Sequence, residues 1–248
     1  MADLMDFDEL ALYFGKDIEI NSYIKLRSPL IGDVVNFGEQ QYYNTLHLLT
    51  AIPSDMKSQL FDVGIDWMEI KDFELFYLLT RNLTPDRSSI FLYDIDLSKM
   101  ELSVNPDNGE MIMKSSEDDT VIDELAYTKI AKCLCKIHGI VPKVERAYNK
   151  TTKKILIDLD RQRLAKAVKE PYRSSLKYLI SAMMRYPGFP YKIWEVEKCS
   201  MYAFMDAVQG AQVYTSSVAL LQGSYSGMVD TSKIDKKNFN WMRDIAEK

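Results

Sequence analysis

Three side chains able to bind a metal or act as nucleophiles lie close together: Cys133, Cys135 and His138. A structural zinc ion asks for four ligands at tetrahedral corners. The apolar spacing around them, through Val121, Leu125, Ile130, Leu134 and Ile137, is that of a helix ending at Gly139. Positions two apart on a helix point in different directions, so Cys133 and Cys135 cannot share one ion. We therefore expect no metal and read both cysteines as small buried hydrophobes near a helix end. Two carboxylate pairs, Asp94 with Asp96 and Asp158 with Asp160, have the composition of an acid/base site. Pairs of this kind more often stay solvated or cap nearby helices. The other histidine, His47, sits beside Leu46, Leu48 and Leu49, where a satisfied core residue is the plainer reading. No glycine-rich loop precedes a helix, and neither GxSxG nor HExxH occurs. Without a nucleophile, a base and an orienting group in one constellation, no catalytic residue and no cofactor is expected.

Charge offers a different chemistry, that of recognition. From Lys143 to Lys177 there are 11 basic residues and 4 acidic ones, with Tyr148, Tyr172 and Tyr178 interspersed. Such a run could neutralise phosphates and stack bases. No helix-turn-helix, zinc-finger or RNA-binding signature accompanies it, and the chain carries a net charge of −5, so a solvated helix face is preferred to a nucleic-acid site. The halves are polarised: residues 1–125 hold 25 Asp or Glu against 9 Lys or Arg, a net of −16, while residues 126–248 net +11. That contrast serves to pair the halves with each other, or to draw in further copies or another protein. The exposed basic face expected to bind protein comprises Arg161, Arg163, Lys166 and Lys169.

The elements that carry these residues follow from periodicity. Met201, Phe204, Met205, Val208 and Gln212, then Val218, Leu221 and Tyr225, mark one apolar side of a long helix, which Gly210 and Thr215-Ser216-Ser217 threaten to split. Upstream, Leu4–Phe14 reads as a short acidic helix, residues 17–26 as a small hairpin, and residues 29–50 as one long helix with Val34, Phe37, Tyr42 and Leu46 inward. Ser54 is a candidate N-cap for a helix through Leu60, and Lys71–Asn82 a helix expected to be nearly all buried. Thr84-Pro85-Asp86 closes that series. Alternation at Met100, Leu102 and Val104, with the turn residues Asn105-Pro106-Asp107-Asn108-Gly109, gives an exposed β-hairpin near 99–114. Ile155, Ile157 and Leu159 alternate like a strand, yet helical spacing takes over from Arg161 to Lys169; a further helix spans Arg173–Arg185. Phe239 and Trp241 are expected to fold back onto a lobe.

The expected fold is mainly α with a small β-hairpin insertion, in two helical lobes. An acidic lobe covers residues 1–115 and a basic one residues 116–248. With 47% hydrophobic and 27% charged residues the chain has the balance of a globular protein, and its apolar runs fall far short of the roughly 20 residues of a membrane span. Asp3, Asp6, Asp8 and Glu9 stand where a secretory signal carries basic residues, and three cysteines are too few for a disulfide framework. A cytoplasmic protein is expected.

Three stretches, PLIGDVVNFGE at 29–39, AIPSDMKSQL at 51–60 and LLQGSYSGMVD at 220–230, resemble proteins from the tail-gene clusters of long-tailed bacteriophages and prophages of Gram-positive bacteria. Those proteins are similar to phage tail assembly chaperones. The resemblance implies a helical, non-enzymatic protein in the cytoplasm of the host bacterium that binds the tape-measure and tail-tube proteins, with a homo-oligomer as a further expectation. A structural subunit of the virion is the alternative reading, and a nucleic-acid-binding phage accessory protein the third.

Overall fold

Residues 7–106, 108–228 and 230–243 are described by a computed structural model, which is mainly α with two small antiparallel sheets. Asp8 caps helix α1 (Glu9–Tyr13) by accepting from the Ala11 amide at 3.1 Å, as the short Asp side chain does at a helix start. The expected beginning of this helix at Leu4 lies outside the described residues. Strands β1 (Ile18–Glu19) and β2 (Lys25–Leu26) form the expected hairpin, its turn held by the Asn21 side chain, which accepts from the Tyr23 and Ile24 amides.

The long helix expected over 29–50 is two helices. Gly38, at φ 95°, separates α2 (Ile31–Phe37) from α3 (Glu39–Thr50), a conformation that side-chain-bearing residues rarely adopt. Val34, Tyr42 and Leu46 are buried as expected, but His47 is exposed, which corrects its reading as a core residue. The start of α2 is bonded to the far end of the chain: the Ile31 amide donates to the Cys199 carbonyl, the Gly32 amide to Glu197, and the Met201 amide to Pro29. A Cβ at residue 32 would meet the Glu197 carbonyl at 2.9 Å, so glycine permits this approach.

Ser54 does not cap the next helix. It lies in the turn Pro53–Asp55 and bonds the Glu145 backbone, accepting from the amide at 3.0 Å and donating to the carbonyl at 3.3 Å. Helix α4 (Lys57–Asp62) follows, then α5 (Asp72–Thr80), with Phe73, Leu75 and Phe76 buried. Pro85 does not end the helical series but occupies the first position of α6 (Pro85–Leu92), where its missing N–H costs nothing. Strands β3 (Met100–Val104) and β4 (Met111–Ser115) pair with Leu102 opposite Met113, forming the expected hairpin apart from Asp107, outside the described residues. A third strand, β5 (Val121–Asp123), pairs with β4 where the sequence reading had already begun a helix; helix α7 (Glu124–His138) starts at Glu124, capped by Asp123, and ends on Gly139 in the left-handed conformation.

The remaining helices are α8 (Lys150–Lys169), α9 (Ser175–Arg185), α10 (Ile193–Val196) and α11 (Met201–Tyr225). Helix α11 runs unbroken through Gly210 and Thr215. Its first half is covered, with Met201, Phe204 and Val208 buried, whereas Tyr225 is 85% exposed. The tail returns to it: Ser217 donates to the Asn238 carbonyl at 2.8 Å, and Trp241 meets Tyr214 edge-on with centroids 5.6 Å apart. No helix among the described residues is long and apolar enough to cross a membrane.

The principal core joins the two segments rather than dividing at 115. Leu12, Val34, Tyr42, Phe76 and Phe91 share one apolar cluster with Ile130, Leu134, Met201 and Phe204, and residue 115 itself lies in the middle strand of the sheet. A charge boundary describes surfaces, and the apolar faces behind it pack without regard to it. A second, smaller cluster of Leu60, Trp67 and Leu75 receives Leu156 and Ala147 from the basic run.

Candidate protein-binding surface

The thiols of Cys133 and Cys135 and the imidazole of His138 are core groups. Cys133 and Cys135 are buried in α7, and burial pushes their thiols up to about 12 and about 11, so neither is a thiolate at neutral pH. His138 is buried one turn on; its Nδ1 lies 2.7 Å from the Leu134 carbonyl and its Nε2 2.6 Å from the Tyr42 hydroxyl. A carbonyl only accepts, so Nδ1 carries the proton and Tyr42 donates to Nε2. The satisfied core histidine is thus His138, not His47. No group of three or more His, Cys, Asp or Glu side chains able to hold a metal ion occurs among the described residues.

The basic run folds differently from its alternating pattern. Asn149 caps α8 by accepting from the Thr152 amide at 2.8 Å, which starts the helix eleven residues earlier than Arg161. Of its 20 residues only Ile157 and Asp160 are buried, so the Ile155–Ile157–Leu159 alternation is that of a helix covered along one narrow edge. That edge lies on α4 and the smaller cluster. Asp160 accepts from both the amide and the hydroxyl of Ser58, at 3.0 and 2.6 Å, and from Arg163 at 2.7 Å. Burial alone would raise its carboxyl, but the Ser58 bonds and the neighbouring cations outweigh it and hold the group below the usual carboxylate range. Beside it the buried Lys57 ammonium pairs with Glu145 at 2.9 Å and lies over the Trp67 ring.

Because the buried Ser58 amide loses its acceptor and the Ser58 hydroxyl keeps only Gln59, at 3.1 Å, Asp160→Ala is expected to cost about 1–3 kcal/mol. Arg163, mostly in water, adds little to that loss. Hydrogen exchange should quicken in α4 and α8 and stay unchanged in α7; uniform acceleration through the molecule would contradict a local clasp.

The four basic residues expected to bind protein divide into two pairs. Arg161 reaches back to Asp62 and also lies over the Phe61 ring, and Arg163 holds Asp160, so both serve to seat α8 on α4. Lys153 does likewise with Asp66. Lys166 touches only Glu170, at 3.9 Å on the same helix, and Lys169 makes no ion pair among the described residues. At 100° per residue, Lys166 and Lys169 share the outward side of α8 with Ile155 and Leu159, which are 52% and 55% exposed. Apolar side chains followed by lysines on an uncovered helix face make a surface able to grip an apolar, acidic partner. Comparison with protein-family models, with curated proteins and with solved structures finds no match.

Proposed function

We propose that the protein is a non-enzymatic protein-binding factor of bacteriophage tail assembly, and that it meets its partner through the outward face of α8. The observation that carries the reading is the near-complete exposure of a 20-residue helix bearing Ile155, Leu159, Lys166 and Lys169 in one line. A helix of that length left uncovered by its own chain is supported by tertiary contacts along one edge alone, and its other side is available for recognition. The resemblance of residues 29–39, 51–60 and 220–230 to tail-cluster proteins directs the reading towards tape-measure and tail-tube proteins as partners.

Tagged protein purified from cells with an induced prophage should bring down a tape-measure or tail-tube protein, less of it as salt rises. Lys166→Glu with Lys169→Glu should reduce the recovery at least about tenfold, as like charges are set against an acidic partner. Recovery of nucleic acid or host metabolites alone would count against the proposal. Presence of the chain in purified particles at fixed stoichiometry would favour a structural subunit instead.

A further inference from the structure

The outward face of α8 has a complement on the same molecule. Between α5 and the β3–β4 hairpin runs an open groove of about 540 Å³, with Ile70, Leu78, Leu102 and Met111 as an apolar floor and Glu69 and Glu74 on its rim. Strand β3 is the edge of its sheet and Leu102 is 38% exposed, so neither the sheet nor a described helix closes the groove over that side chain. Two of the three carboxylates on the rim have no cationic partner among the described residues. Asp66, also on the rim, is taken by Lys153, but Glu69 makes no ion pair among the described residues, and Glu74 accepts only from the Lys71 amide at 3.4 Å.

We propose that this groove seats the outward face of α8 from a second copy of the chain. Ile155 and Leu159 lie on the apolar floor, and the lysines a few turns on, Lys166 and Lys169, face the rim glutamates. Three observations select a second copy as the occupant. Groove and helix face are opposite in charge; both are apolar where they would touch; and the net charges of the segments that carry them, −16 and +11, attract at a distance. A copy's own α8 does not serve, since that helix is clasped to α4 by Asp160 and Arg161 with Ile155 and Leu159 turned away. The contact joins two different faces, so it is heterologous and either closes into a ring or continues as a filament. It uses the face of α8 that the proposed function assigns to a phage protein, so the two occupants compete for it, and light scattering on the chain alone reads self-association with that partner absent.

Light scattering on the purified full chain, over a series of concentrations and salt, tests it. Wild-type protein should form oligomers at low salt that shrink as salt rises. Glu69→Lys with Glu74→Lys, and separately Lys166→Glu with Lys169→Glu, should each weaken association about tenfold or more and leave a folded monomer by circular dichroism. Mixed in equal amounts, the two variants should recover a 1:1 complex, because the first keeps its basic helix and the second its acidic groove. If either double variant fails to fold, Leu159→Asp, at an exposed position, should weaken self-association to the same degree. A wild-type monomer under every condition, oligomers indifferent to the substitutions, or variants that stay apart when mixed would each overturn the proposal.

Discussion

Phe204→Ala is expected to destabilise the protein by about 3–5 kcal/mol, a large part of the 5–15 kcal/mol that holds a typical domain together. The ring is fully buried, with Phe189 edge-on at 6.3 Å between centroids and with Met201 and Val208 on the same side of α11. Its removal forfeits both the burial of the side chain and the close contacts that no neighbour can replace without moving the backbone. Denaturant titration measures the loss. Tyr225→Ala, almost six turns on at a position 85% exposed, is the control and should shift the midpoint hardly at all. Equal losses at the two positions would show that α11 is not anchored by its first half.

The second large effect is a pH dependence seated in His138. Burial lowers its pKa to about 4, against roughly 6.5 in an unfolded chain. Below pH 6.5 the unfolded state therefore takes up a proton that the folded state refuses, and stability falls as pH falls, until near pH 4 both states are protonated. The integrated loss is about 3 kcal/mol, at about 1.4 kcal/mol per pH unit. The cause is burial: the imidazole lies in the apolar core, where an imidazolium would lose its hydration, and the Leu134 carbonyl on Nδ1 offsets only part of that cost. Glu9 and Asp66, held low chiefly by their lysine partners, act in a different window. A depressed carboxyl gives stability above its unfolded value, near 4, and loses it as pH falls through the folded one. Unfolding curves at pH 7 and pH 4.5 should therefore diverge for the wild type and draw together for His138→Gln. Unchanged divergence in the variant would assign the effect elsewhere.

What could be read from the residues was local. The spacing of Met201, Phe204 and Val208, the glycine after His138 and the turn residues from Asn105 to Gly109 each encode an element within one short window, and each is present. What escaped depends on contacts distant in sequence. Residues 29–50 bend at Gly38, and next to the bend Glu39 accepts from the Leu176 amide at 2.9 Å, 137 positions along the chain; a three-residue strand such as Val121–Asp123 is too short to show a period of its own. His47 and His138 both stand among apolar neighbours in sequence; which one turns inward is fixed by how α3 and α7 pack. The basic run illustrates the same point at the candidate site. Sequence placed Arg161, Arg163, Lys166 and Lys169 together, yet Asp62 of α4, 99 residues away, takes Arg161, Asp160 one turn back takes Arg163, and the two lysines are left facing outward. The polar, acidic link of residues 115–119 suggests a boundary near 115 that the core does not observe, because a solvated link says nothing of which apolar faces pack together.

The bonds that tie Pro29, Ile31 and Gly32 to residues 197–201 have a consequence for synthesis. The faces of α1 and α7 that α11 covers are made first and the cover is made last, some 190 residues after Tyr13. At roughly 5–20 residues per second, a nascent chain spends on the order of ten seconds with those apolar faces open. Over that interval it is the client of whatever holds unfinished chains in the cell, and a ribosome that stalls before Met201 releases a polypeptide with a core but no lid.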